Sequence, residues 1–204
     1  MDRLDLAGLI ASRLCHDLAG PVSALANGAE LLETETDEVV RAEFVAIMGK
    51  GAAQLTAKLR FYRLVFGGGA ALPVAAAEAR AVLSDYIASD RQVSLDWRLD
   101  EEPVARSMAR LLLALAALAA ETTDRGGTVC VALSDAGACV EATGMRVVLP
   151  RDQRDILTAL EFEILPAASR AAFAHLAATL AARLGADVIV REEPGMLSLS
   201  VRLR

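Results

Sequence analysis

The sequence predicts an α + α/β protein: an N-terminal helical hairpin that pairs with a second copy into a dimeric four-helix bundle, followed by an α/β sandwich of one sheet with helices on one face. Three observations carry this expectation. Apolar residues recur every three or four positions through residues 4–66, as along the buried stripe of a helix. The segment Gly67-Gly68-Gly69-Ala70-Ala71-Leu72-Pro73 then breaks the pattern. Beyond it, short alternating runs interleave with stretches rich in alanine and leucine. The expected organisation is residues 1–66 as the helical hairpin, 67–73 as a linker and 74–204 as the sandwich.

In the first helix Leu14, Leu18, Pro21, Leu25, Gly28 and Leu32 step by four and three, the spacing of a coiled-coil seam. Phe44, Met48, Gly51, Leu55, Tyr62 and Val65 keep that beat in the second. The break around 33–38 makes the hairpin, with Thr36 or Asp37 available to cap the second helix. Two helices alone leave such seams partly uncovered, which is why a homodimer is expected.

After the linker, residues 74–86 and 103–121 read as helices with 92–99 alternating as a strand between them. Gly126-Gly127 precedes a hairpin of strands 128–133 and 139–143, with 146–149 a weaker third strand. Helices at 152–160 and 169–184 follow, the latter stopped by Gly185, and strands 187–192 and 196–202 close on Glu193-Pro194-Gly195.

Composition narrows the function classes. Of the 204 residues 54% are hydrophobic but only 4% aromatic, so alanine and leucine must fill the core, which favours helix. A net charge of -6 argues against sequence-independent electrostatic binding to nucleic acid. The longest apolar run, Leu111 to Ala120, is too short to cross a bilayer, and Asp2, Arg3 and Asp5 do not make a signal peptide, so the expected location is the cytoplasm. Cys15, Cys130 and Cys139 suggest neither a disulfide framework nor a zinc site.

The two histidines occupy different settings. With positions 14 and 21 as d and 18 as a, His16 falls at f, facing away from the bundle axis toward solvent or a partner. His175 lies among apolar neighbours, where a packed or hydrogen-bonded histidine is the ordinary reading. Pro21, five residues after His16, removes a backbone donor and crowds the Asp17 carbonyl, at a cost of roughly 3 kcal/mol. An exposed helical histidine and a proline kink each have an ordinary structural explanation; together with an adjacent acid they point to chemistry.

The run His16-Asp17-Leu18-Ala19-Gly20-Pro21-Val22 resembles the phosphoacceptor H-box of histidine kinases, in which an acid, a hydrophobe and, fifth after the histidine, a proline follow it. With Ser12-Arg13-Leu14-Cys15 before it and Asn27-Gly28-Ala29-Glu30-Leu31-Leu32 after it, the segment resembles the ChpT-type histidine phosphotransferases of bacterial phosphorelays. That family is a dimeric helical-hairpin bundle followed by a degenerate histidine-kinase ATPase-like domain.

The resemblance implies that residues 74–204 are such a degenerate Bergerat-type domain. Aligning Gly126-Gly127 with the family's glycine pair puts Ala114 and Leu118 where kinases carry magnesium-binding asparagines, and neither offers an oxygen ligand. Glu121 is left as a stray ligand or a solvated helix-end carboxylate. Glu141-Ala142-Thr143-Gly144 has Ala142 in place of the adenine-reading aspartate, and Leu165-Pro166-Ala167-Ala168-Ser169-Arg170 has no glycine to admit a phosphate.

What the resemblance implies for function is phosphotransfer. His16 is the phosphoacceptor and Asp17 its orienting acid or general base, although adjacent helix residues do not share a face. The donor would be the receiver domain of a hybrid histidine kinase and the acceptors response regulators, with magnesium supplied by the receiver and no cofactor of the chain's own. Gly20, Ser23 and Asn27, with Lys50 and Gln54 opposite, are the expected docking surface; solvated surface is the alternative for Lys50 and Gln54. Gly20 departs from the polar residue common there in kinases, which puts phosphatase activity in doubt. An active kinase fragment and a non-catalytic dimeric scaffold remain rival readings; a metal-dependent hydrolase has too few plausible ligands.

Overall fold

A computed structural model describes residues 3–67, 72–90, 92–123, 126–134, 137–159 and 169–204. Helices α1 (Arg3–Thr34) and α2 (Glu38–Val65) form the antiparallel hairpin. Asp37 caps α2, its carboxylate accepting from the amides of Val39 and Val40 at 2.8 and 3.2 Å. The seam residues Pro21, Gly28 and Gly51 are buried while Leu14, Leu18, Leu25 and Leu32 are half-buried. Gly28 lets the helices approach closely, because a Cβ there would lie 2.5 Å from Met48 Cγ.

Pro21 sits within α1 and cannot donate to the Asp17 carbonyl, the acceptor its position would normally satisfy. The buried Lys58 of α2 meets that carbonyl instead, Nζ donating at 3.0 Å. The irregularity in one helix is thus compensated by a cation from the other.

The remaining elements are α3 (Ala76–Asp90), β1 (Ser94–Arg98), α4 (Arg106–Thr122), β2 (Thr128–Ser134), β3 (Gly137–Thr143), α5 (Arg151–Thr158), a 3₁₀ turn at Ser169–Ala171, α6 (Ala172–Arg183), β4 (Ala186–Glu193) and β5 (Met196–Leu203). They form one five-stranded sheet, order β1-β2-β3-β5-β4, with β1 parallel to β2 and the other pairs antiparallel. Val129, Val131, Ala138, Val140, Ala142, Leu197, Leu199 and Val201 alternate into the core. Helix α4 is buried from residue 111 to 120, between the sheet and α6. Gly185 ends α6 with φ +64°, a conformation few side chains tolerate.

Several boundaries differ from the sequence expectations, two of them through pairing with distant chain. Val74 and Val104 exchange two 2.8 Å backbone hydrogen bonds, so α3 and α4 begin at Ala76 and Arg106. Residues 146–149 form no strand of the sheet: they lie against the end of α4, where Val147 bridges Thr123 and the Val148 amide donates to Thr122. The expected helix 152–160 runs from Arg151 to Thr158, and residue 160 is outside the described residues.

The hairpin shares its core with the sheet unit. Phe61, Tyr62, Leu64 and Val65 at the end of α2 join the same buried cluster as α4 and α6. Phe61 stacks on Tyr86 at 3.9 Å between centroids, and Phe66 on Phe173 at 5.8 Å. A chain poor in aromatics therefore concentrates them where α1 and α2 meet α3 and α6, which fixes the end of α1 that bears His16 against the rest of the molecule.

Candidate phosphoacceptor site

The f-position of α1 places His16 outward, its side chain 76% exposed. Asp17 points inward, 10% exposed, yet its carboxylate reaches back to the ring: His16 Nδ1 lies 3.0 Å from Asp17 Oδ1. The expectation that neighbouring helix residues face apart holds for the direction of the two residues; the ends of their side chains meet nonetheless.

The other carboxylate oxygen is held from two elements. Arg13 Nε, one turn earlier on α1, donates to Oδ2 at 2.7 Å, and the Tyr62 hydroxyl of α2 donates to the same atom. Burial pushes the Asp17 carboxyl up, but the hydrogen bonds of Tyr62 and His16 and the charge of Arg13 outweigh it and hold the pKa below the ordinary carboxylate value. Asp17 is therefore an anion at neutral pH and accepts from His16. The hydrogen belongs on Nδ1, leaving the lone pair on Nε2.

Arg13 is itself clamped. Its Nη2 pairs with Glu121 Oε1 and its Nη1 lies 3.4 Å from Oε2, while the guanidinium sits 5.1 Å from the Phe173 ring centroid. Its burial works against the charge, but Glu121, Tyr86 and Asp17 favour it more, so the proton is held more tightly than in a free arginine. Burial likewise raises the Tyr62 hydroxyl, with Tyr86 and Asp17 adding to it, so it stays a donor. Glu121 thus corrects the sequence expectation: it is neither a solvated carboxylate nor a stray ligand but the ion-pair partner of Arg13, 12% exposed.

A cleft of about 580 Å³ opens beside His16, bounded by α1, α2 and the far end of α4, with Val148, Pro150, Gln153 and Arg170 on its other wall. Of the expected docking residues, Gly20 and Gln54 line it with His16 and Asp17. Added bulk at Gly20 would meet nothing within 4 Å, so the surface beside His16 is open. Ser23 and Asn27 continue along the exposed side of α1. Lys50 lies in a separate groove between α2 and α3, shared with Gln54, whose amide donates to the Ser89 carbonyl at 2.5 Å. Gln54 is therefore partly committed within the chain.

The positions matched to nucleotide-binding residues face inward: Ala114, Leu118 and Ala142 are all fully buried. Residues 165–168 lie outside the described residues, while Arg170 pairs with Asp152 at 3.2 Å. Among the described residues no three His, Cys, Asp or Glu side chains gather as a metal site, and no helix is long and apolar enough to cross a membrane. His175 is buried at 2% exposure with neither ring nitrogen hydrogen-bonded among the described residues, so the packed reading holds and the hydrogen-bonded one does not. Its pKa is lowered by that burial.

Sequence reasoning singled out neither Arg13 nor Lys58, and assigned Tyr62 only to the seam. Arg13 and Asp17 are four apart on one helix, a local signal for an ion pair. The partners from α2 and α4 leave no such signal.

The profile of the histidine phosphotransferase C-terminal domain matches residues 76–194, more than half of the chain. The protein phosphotransferase ChpT of Brucella abortus (strain 2308) is 31% identical over 136 residues, which are 65% of this chain and 63% of that relative, a little under two thirds of its length. A solved structure of a bacterial phosphotransferase superposes with a TM-score of 0.84 at 22% identity, covering 99% of this chain and 98% of the other, and shows the same fold from α1 to β5. With the profile spanning α3 to β4 and the fold shared throughout, the chain belongs to the histidine phosphotransferase family.

Proposed function

We propose that the chain is a cytoplasmic, homodimeric histidine phosphotransfer protein of a phosphorelay, passing a phosphoryl group between receiver-domain aspartates through His16. The observation that carries this reading is the exposed imidazole whose Nδ1 is tied to a buried, anionic Asp17. The lone pair of Nε2 attacks the phosphorus of an aspartyl phosphate; the N–P bond forms as the P–O bond to the aspartyl oxygen breaks, and the aspartate leaves with that electron pair. The ring becomes a cation, which Asp17 stabilises across the Nδ1 hydrogen bond. Donor and acceptor species are both high-energy, so the step reverses onto a second receiver.

In this reading the donor is the receiver domain of a hybrid histidine kinase and the acceptors are response regulators. The receiver brings the magnesium, and this chain contributes position. Buried Ala114, Leu118 and Ala142 in place of nucleotide-binding side chains support a protein that takes up no phosphate from ATP. Exposed Val45 and Leu59, two heptads apart on one side of α2, support closure of the bundle by a second copy.

The test is incubation with purified receiver domains bearing labelled phosphate and, in parallel, with labelled ATP and magnesium. Label from a receiver alone, lost in His16→Ala, is the expected result. Incorporation from ATP without a second protein would favour the kinase reading, and unchanged transfer in His16→Ala the scaffold.

A further inference from the structure

Two side chains outside the H-box, Arg13 and Tyr62, converge on the one carboxylate that touches His16, and a third, Glu121, holds Arg13. We infer that Arg13, Tyr62 and Glu121 are positioning residues for His16, and that through Glu121 the sheet unit sets the orientation and tautomer of the phosphoaccepting ring. The inference rests on the phosphotransfer reading and names what steers its nucleophile.

Both donors fall on the same oxygen. Arg13 Nε and the Tyr62 hydroxyl occupy Asp17 Oδ2, which fixes the carboxylate plane and leaves Oδ1 to accept from His16 Nδ1. A carboxylate held by one bond rotates, and a solvent-exposed imidazole bonded to it is then free to place its hydrogen on either nitrogen. Arg13 is a long side chain that would not hold Asp17 by itself. Glu121 takes the other edge of its guanidinium, and Phe173 lies against its face. The chain Glu121, Arg13, Asp17, His16 therefore runs from the end of α4 to the reacting ring, and Tyr62 braces it from α2.

Nothing in this arrangement needs a nucleotide. Glu121 stands at the C-terminal end of the helix whose Ala114 and Leu118 are packed into the core, so α4 acts here as a rigid post carrying a carboxylate to the H-box. Lys58 contributes at the same level by holding the Asp17 carbonyl at 3.0 Å, which keeps the backbone beneath the ring in place.

The experiment uses the full-length protein and the variants Glu121→Gln, Arg13→Lys and Tyr62→Phe. Two readouts separate positioning from mere stability: the ¹⁵N resonances of the His16 ring, which report which nitrogen bears hydrogen, and the transfer rate from a phosphorylated receiver at saturating and limiting receiver. In the wild type the ring is expected as the Nδ1–H tautomer. In each folded variant the population moves toward Nε2–H, and the saturated rate falls by about tenfold with the half-saturating receiver concentration unchanged. Should Glu121→Gln fail to fold, Tyr62→Phe, which lacks a single hydroxyl, decides the matter. Folded variants with the wild-type spectrum and rate would overturn the inference. The spectrum needs no receiver, so a wild type that accepts no phosphate would refute the function reading separately.

Discussion

His16 and His175 are the same side chain placed in opposite surroundings. His16 stands in solvent with one nitrogen bonded to an anionic carboxylate. His175 is sealed in α6 with neither nitrogen bonded among the described residues, and burial disfavours its charged form. A phosphoryl carrier needs a lone pair that an incoming phosphorus can reach and a neighbour that accommodates the positive ring once the bond has formed. The hairpin supplies the first requirement and the junction with the sheet unit the second. At His175 both are absent, and the helix gains packing instead.

The sharpest way to break this comparison is to remove each ring in turn. His16→Ala is expected to lower phosphoryl uptake from a receiver by more than about 1,000-fold while unfolding within about 0.5 kcal/mol of the wild type, as exposed substitutions do. His175→Leu should retain uptake. Equal losses in both would mean that exposure does not distinguish the two histidines.

The next effect concerns the group that joins the hairpin to α4. Arg13→Ala leaves Asp17 and Glu121 buried without their common cation, and a loss of about 3 kcal/mol in urea unfolding is expected. Lys58→Met removes the donor that replaces the missing Pro21 amide, leaving a backbone acceptor unsatisfied, for about 2 kcal/mol. Unchanged stability in either would show that solvent satisfies these groups.

The smallest effect is on pH dependence. His175 has a lowered pKa when folded, so the unfolded chain binds the proton more readily. Its contribution to stability is complete above the unfolded value of about 6.5 and declines as pH falls below it. His175→Leu should flatten stability between about pH 6.5 and 5, measured by thermal unfolding; a limb as steep as in the wild type would show that His175 does not carry it.

Much of the architecture was legible because it is local. The four-three seams, the cap at Asp37 and the stop at Gly185 are all written in neighbouring residues. The bridge between Val74 and Val104 and the position of residues 146–149 depend on distant chain, and there the expected boundaries fail. The same division holds at the site. The exposure of His16 follows from its heptad position; Arg13 carries a local signal in its spacing to Asp17 that the sequence reading did not use. The Lys58, Tyr62 and Glu121 contacts span 41, 45 and 108 residues, and no periodicity reports them. Glu121 was misread for that reason, since a carboxylate near a helix end is ordinarily solvated, and only the packing of α1 against α6, which itself packs on α4, brings Arg13 to it.

The central claim is that one exposed, oriented imidazole is the phosphate carrier of this chain. The most direct measurement is mass-spectrometric mapping of the full-length protein after reaction with a phosphorylated receiver domain and, separately, with ATP and magnesium. Phosphate on His16 alone, and only after the receiver reaction, is the predicted result. Phosphate on another residue, none from any receiver tested, or His16 labelled by ATP alone would contradict it.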